Sequence, residues 1–228
     1  MRLKLQFVRK KLDVPIYIFS YHKSGTKFIS RIFREICSEF NWKFKVVTGK
    51  PTKIPNADII FFIHGLADPK SIKHDFIGIH IIRDPRDIII SGYLYHKRTS
   101  ELWCNNKNFQ INKKIKFPQV PYSQEHKSEE WKKSYIESLQ NRSYQDIMNT
   151  LSEEEGILFE MNHYGQWTIS EMIKWNYNHP AFLELKFENI MDNYEQEFLK
   201  IFEHCKFNEK VKKYSMNIAQ KENIHTML

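Results

Sequence analysis

The sequence is poor in glycine and cysteine, and it has no low-complexity tract and no long hydrophobic run. Seven glycines and eight prolines occur in 228 residues, and no Gly-, Ser- or Pro-rich linker divides them. That excludes a string of modules, and the length suits one well-buried domain. The three cysteines, Cys37, Cys104 and Cys205, are odd in number, widely spaced and form no C-x-x-C pair. They point away from a disulfide framework or a zinc site and toward a reducing compartment. The apolar segment Val14 to Phe19 contains Pro15 and is too short for a secretory leader or a membrane span. A cytoplasmic protein with no membrane span is the expectation.

What the chain does have is positive charge: 35 Lys and Arg against 27 Asp and Glu, a net +8. This favours an anionic partner without naming it. Clusters such as Arg9-Lys10-Lys11 and Lys113-Lys114 read as solvated surface. No basic patch interleaved with aromatics is found, so nucleic acid is not the expected partner.

Short apolar runs alternate with helical patterns. Ile16 to Phe19, Asp58 to Ile63 and Ile77 to Ile82 read as strands, with Lys45 to Thr48 a weaker one. Ile29, Ile32, Phe33, Ile36, Cys37 and Phe40 recur at helical spacing. Pro85 opens another helix, with Asp84 as N-cap. Helices are expected over Ser128 to Gln140, Ser143 to Ser152 and Tyr164 to Asn178, then a strand from Phe182 to Phe187 and a last helix using Phe198, Ile201, Phe202 and Cys205. Runs apolar on both faces suit parallel strands covered by helices. The expected fold is α/β with a central, mainly parallel sheet, its ligand beyond the carboxyl ends of the strands. Residues 98 to 126 are polar and rich in Lys and Asn, and they read as a lid.

Two stretches suit anions. In "FSYHKSGTKF", from Phe19, a loop leads from the first strand into a helix, where free backbone N–H groups meet the positive end of the helix dipole. Ser24, Gly25 and Thr26 supply N–H groups, Lys23 a mobile charge, and the two hydroxyls further bonds. The earlier glycine of G-x-x-x-x-G-K-[ST] is missing and Lys23 precedes Gly25, so this is not the Walker pattern. In "IIRDPRDIIIS" Arg83 ends a strand and Ser91 lies two turns into the next helix. Both can reach one phosphate beside that helix.

Together these stretches carry a family resemblance. "YHKSGTKF" resembles the 5′-phosphosulfate loop, Y-P-K-S-G-T-T-W, of sulfotransferases that use 3′-phosphoadenosine 5′-phosphosulfate (PAPS). "IIRDPRDIIIS" resembles their 3′-phosphate segment, R-N-P-R-D followed by Ser. "FLELKFENIMDNYEQEFLKIFEHCKF", from Phe182, is similar to their late strand and helix. The matches run from residue 15 to 207. The resemblance implies one three-layer domain, like that of the P-loop NTPases, with residues 98–165 as substrate lid and helical insertion. It also implies transfer of a sulfuryl group from PAPS to an acceptor hydroxyl or amine, with no metal.

Carried over by position, Lys23, Ser24, Gly25, Thr26 and Lys27 hold the 5′-phosphosulfate, and Arg83 and Ser91 the 3′-phosphate. Lys23 stabilises the bridging oxygen as the S–O bond breaks. His64 in "FFIHGL" stands where cytosolic members have the base of K-T-H-x-P, with Glu160 in "GILFEMNHY" as the rival base or else a solvated helix residue. His22 replaces the usual proline, and Lys27 a usual threonine. Trp167 in "GQW" resembles the G-S-W of the family, but Thr168 follows it instead of tyrosine. Nothing resembling the R-K-G loop or G-D-W is found. The acceptor is a small molecule or carbohydrate, with a homodimer left open. A nucleotide-binding module and a kinase-like phosphoryl transferase, with Asp84 holding Mg²⁺, use the same phosphate loop and stay open.

Overall fold

The computed structural model describes residues 11–64, 66–111 and 117–223. The expectations for Arg9, Lys10, Lys113 and Lys114 fall outside the described residues.

Five strands, β1 (Ile16–Ser20), β2 (Phe44–Thr48), β3 (Ile59–Ile63), β4 (Ile77–Ile82) and β5 (Phe182–Lys186), form one sheet in the order β2-β3-β1-β4-β5. Every neighbouring pair is parallel. From β1 the chain runs to the edge strand β2, comes back to β3 beside β1, and then crosses to β4 on the other side of β1. The carboxyl ends of β3, β1 and β4 therefore border a crevice at the point where strand order reverses, the usual place for a ligand in such sheets.

Both faces of β1 are buried, and its alternation assigns them. Ile16 and Ile18 pack with Ile59, Phe61, Ile79 and Ile81 against α1 (Thr26–Glu39), α8 (Tyr194–His204) and α9 (Glu209–Lys221). Tyr17 and Phe19 pack with Ile60 and Phe62 on the other face, covered there by Ile72, Phe76 and Trp175 from connecting segments. Beside them Tyr21 meets Ile88 of α2 (Pro85–His96) and Met172 of α6 (Gln166–Lys174). The result is an α/β domain with a parallel central sheet between helical layers, as the strand and helix pattern implied.

One buried polar group lies where the pattern read as apolar. His80 in β4 is fully buried; its Nδ1 meets Glu184 at 2.5 Å and its Nε2 the Tyr21 hydroxyl at 3.0 Å, with Trp175 stacked on it at 3.9 Å.

The remaining helices are α3 (Glu129–Ser138), α4 (Tyr144–Thr150), α5 (Glu153–Glu160) and α7 (Phe187–Asp192). The start of α5 was not anticipated: Ser152 closes a capping box with Glu155, so the chain turns into a new helix where one was expected to end. A π-helical turn, Met161–Gly165, then joins α5 to α6. Within the segment read as a lid, Thr99, Trp103, Cys104, Val120, Ser123 and Gln124 are buried. Trp103 and Cys104 pack with Tyr93, Tyr144, Met148 and Tyr164 in a core of their own.

Candidate functional site

The loop after β1 is built by its own hydroxyls. Tyr21 donates its backbone N–H to Ser24 Oγ at 2.8 Å, and Ser24 Oγ donates to the Tyr21 carbonyl at 2.8 Å. Thr26 Oγ1 donates to the same carbonyl at 2.9 Å and lies 3.0 Å from Ser20 Oγ. Ser24 is fully buried with its hydroxyl bonded to Tyr21, so its side chain shapes the loop. Lys23 (φ 61) and Gly25 (φ 81) take left-handed conformations. At Gly25 a Cβ would also strike the Phe187 ring. No side chain caps the N-terminus of α1, which leaves its first-turn N–H groups open to an anion.

Arg83 joins this loop to the end of β4. Its Nη1 donates to the Lys23 carbonyl at 2.9 Å, its guanidinium lies 5.2 Å from the centre of the Phe187 ring, and Asp87 is 3.8 Å from Nη2. Its Nε is enclosed with no hydrogen-bond partner, 4.0 Å from Glu188. Glu188 in turn accepts the backbone N–H of Asp84 at 2.9 Å, which fixes the β4–α2 corner that carries Arg83. Asp84 caps α2 as anticipated, accepting the Arg86 backbone N–H at 2.9 Å. The Arg86 guanidinium holds the same carboxylate at 2.6 Å and keeps its pKa down at about 2.

These parts open on one cavity of about 490 Å³, lined among others by Lys23, Gly25, Thr26, Lys27, Arg83 and Ser91. The two anion-suited stretches thus share a single space, whose size suits a nucleotide-sized ligand. Lys23 Nζ lies 4.2 Å above the Tyr95 ring and Lys27 Nζ 5.5 Å from it. Burial, followed by the charges of Lys27 and Arg83, lowers the Lys23 pKa from its ordinary value. Three cations gathered in a partly enclosed space repel one another, and a bound anion relieves that repulsion.

His64 follows β3, lines the cavity and is in the left-handed region (φ 72), an uncommon conformation for a residue with a Cβ. Its Nδ1 lies 3.4 Å from the Tyr164 hydroxyl, and burial pushes its pKa down to about 4. His22 lines the cavity beside it, tilted against Tyr164 at 4.3 Å. Burial, then His96, His64, Lys23 and Lys27, lower its pKa well below the usual value.

Glu160 is not a solvated helix residue. It is 1% exposed, accepting from Tyr144 Oη at 2.8 Å and paired with His96 Nδ1 at 2.8 Å, behind the cavity wall and not on it. A lone carboxylate in a polar helix pattern gives no local sign of this; its partners come from α2 and α4. Trp167 lies against Trp131 and Tyr135 and does not line the cavity, whereas Phe28, Phe187, Tyr95 and Tyr122 do. Tyr122 lies in the segment read as a lid; Phe28 and Tyr95 went unremarked because aromatics in a helical run read as core, and Phe187 because it read as the last residue of a strand. Among the described residues no group of three or more His, Cys, Asp or Glu could hold a metal ion, and no helix is long and apolar enough to cross a membrane.

No protein-family model matches the chain, and no curated protein matches it either. Among solved structures, the chain is similar to mouse sulfotransferase SULT7A1 complexed with PAP, at 15% sequence identity and a TM-score of 0.45. That match covers 92% of this chain and 64% of the mouse chain, a distant likeness.

Proposed function

We propose that the cavity binds PAPS and that the protein transfers its sulfuryl group to a hydroxyl or amine of a small-molecule or carbohydrate acceptor. One observation carries this reading: the uncapped end of α1 with Lys23, and the pair Arg83 and Ser91, open on the same cavity. A ligand with phosphates at its two ends meets both; a ligand with one phosphate engages only one of them.

In this reading the N–H groups at Gly25, Thr26 and Lys27 and the Lys23 ammonium hold the phosphosulfate, and Arg83 with Ser91 hold the 3′-phosphate. As the acceptor attacks sulfur, charge grows on the oxygen between sulfur and the 5′-phosphate. Lys23 answers that charge more in the transition state than in the ground state. The cations present are Lys23, Lys27 and Arg83, so the chemistry calls for no metal. A pocket imidazole removes the acceptor's proton, and His64 is the residue that the motif resemblance puts in that role.

A kinase-like reading needs a strand-end carboxylate free to hold Mg²⁺, and Asp84 is taken up by its cap and by Arg86. Calorimetry with 3′-phosphoadenosine 5′-phosphate (PAP), ATP, and ATP with Mg²⁺ tests the choice. PAP is expected to bind best. Tight ATP binding with no preference for a 3′-phosphate overturns the sulfotransferase reading, and PAP binding with no turnover of PAPS leaves a binding module.

A further inference from the structure

A buried polar network lies under the phosphate loop, and none of its side chains lines the cavity. Phe19 in β1, His80 in β4 and Glu184 in β5 stand opposite one another in the parallel register, on the face of the sheet away from α1. His80 Nδ1 meets Glu184 Oε2 at 2.5 Å, Trp175 Nε1 donates to Glu184 Oε1 at 3.0 Å, and His80 Nε2 meets the Tyr21 hydroxyl at 3.0 Å. Tyr21, two residues beyond Phe19, is fully buried. It is also the residue on which the loop is built, since its backbone N–H and carbonyl take the bonds of Ser24 and Thr26.

The protons of this network have one consistent order. Both Glu184 oxygens take an N–H, so the carboxylate acts as an acceptor alone. Burial lowers the His80 pKa against the pull of Glu184, so at pH 7 the ring holds one proton, and it sits on Nδ1 facing the carboxylate. Nε2 is left with a lone pair for the Tyr21 hydroxyl. Burial, followed by Tyr177, Glu184 and Glu171, raises the Tyr21 pKa above its ordinary value and keeps that proton in place. The other acceptor near the hydroxyl, the Glu171 carbonyl, is farther off at 3.5 Å. Donation thus runs from Tyr21 to His80 to Glu184. An apolar pair at positions 80 and 184 would fill the same space under Trp175 without the cost of burying polar groups. It could not set the direction of the Tyr21 side chain, which a saturated polar chain does.

We propose that His80 and Glu184 are positioning residues for donor binding: through the Tyr21 hydroxyl they fix the residue that anchors the phosphate loop, and so set where its N–H groups and the Lys23 ammonium meet the phosphosulfate. This rests on the sulfotransferase reading. β4 then grips the loop at two points. His80 holds it through Tyr21, and Arg83, three residues on, holds it through the Lys23 carbonyl at 2.9 Å. Both grips come from one strand that is paired on both sides, and a site carried on such a rigid element keeps its geometry closely. Glu184 lies one strand farther out, in β5, and reaches the loop only through His80. The network exchanges no proton with the donor; it acts on where the donor sits and how tightly.

The test compares Tyr21→Phe, Glu184→Gln and the two together with Tyr17→Phe, all in the full chain. Tyr17 is a matched control: it lies in the same strand, is buried, and has its hydroxyl 2.7 Å from a histidine, His74 Nε2, away from the loop. Hydrogen exchange of the loop amides, read without ligand, is expected to quicken in Tyr21→Phe and in Glu184→Gln and to stay unchanged in Tyr17→Phe. By calorimetry, PAP affinity is expected to fall about 3- to 10-fold in each of the first two, the usual worth of one hydrogen bond. In Tyr17→Phe it is expected to stay within about twofold, although that variant too lowers the thermal midpoint. In the double variant the loss is expected to be no greater than the larger single loss, because both substitutions break one chain. Unchanged loop exchange in Tyr21→Phe overturns the positioning, and so do fully additive losses or an equal loss of PAP affinity in Tyr17→Phe. Failure of the wild type to bind PAP overturns the donor reading alone, and loop exchange still judges the positioning.

Discussion

Arg83→Ala tests the two-phosphate arrangement most sharply, because Arg83 has two jobs that one measurement can separate. In the free protein Nη1 braces the phosphate loop through the Lys23 carbonyl at 2.9 Å, so the substitution loosens the loop for every ligand. The second job, holding a 3′-phosphate, is felt only by ligands that have one. Calorimetry of PAP and of adenosine 5′-phosphate on wild type and variant gives four affinities, and the difference of differences cancels the loop effect. A guanidinium can give a phosphate two charge-assisted bonds, each ~1.5–3 kcal/mol. The side chain is 23% exposed, and water and salt reduce that sum. We expect a net loss of about 2–3 kcal/mol specific to PAP, roughly 30- to 150-fold. Arg83→Lys keeps the charge without the fork and is expected to fall between. Equal losses for both nucleotides refute the assignment and leave Arg83 as a loop brace alone.

Other expectations follow from the same geometry. Gly25→Ala forces a Cβ onto the Phe187 ring at φ 81; the left-handed strain alone costs about 1–2 kcal/mol. Thermal denaturation is expected to show a fall of several degrees and calorimetry a loss of PAP binding, while an unchanged variant means that the loop takes another shape. Lys23→Ala is expected to reduce turnover of PAPS by ~10²- to 10³-fold with a much smaller loss of PAP affinity; equal losses in both would make Lys23 a ground-state contact. His64 has its folded pKa near 4 against 6.5 when exposed. Between these values the unfolded chain binds the extra proton, so stability is full above pH 6.5 and falls as pH drops toward 4, by on the order of 3 kcal/mol. Urea midpoints measured across that window are expected to fall less steeply in His64→Asn, and identical slopes contradict the role of burial.

The parts of the fold that the sequence made plain are those where one physical signal dominates. β1, β3 and β4 are apolar on both faces and could be little else, and Pro85 behind Asp84 announces the start of α2. The helices that stayed hidden are those whose charge masks their period. In α9 a Lys-rich stretch buries Val211, Ser215, Ile218 and Ala219, and in α5 three glutamates open the helix. The same contrast holds at the site. Lys23, Gly25 and Arg83 sit in short motifs where spacing fixes proximity. His96 and Glu160 are brought together by the packing of α2 and α5 around Gly92 and Gly156, with His22 stacked on His96 from the loop after β1, and no local pattern records that. His22 showed only as a departure from the usual proline. In the structure that departure puts an imidazole on the cavity wall, where proline has no ring nitrogen to offer.

The bonds from the Ser24 and Thr26 hydroxyls to one carbonyl have a consequence for how readily the loop receives a ligand. With both hydrogen-bonded to the Tyr21 carbonyl, the loop holds its shape before any ligand arrives. On the proposed function, a donor nucleotide would have little backbone to freeze on arrival, and the entropy that a floppy glycine-rich loop would lose on binding is already absent. Scarcity of glycine here amounts to a rigid receptor, one suited to catching a small, highly charged ligand in a single collision rather than closing around it afterwards.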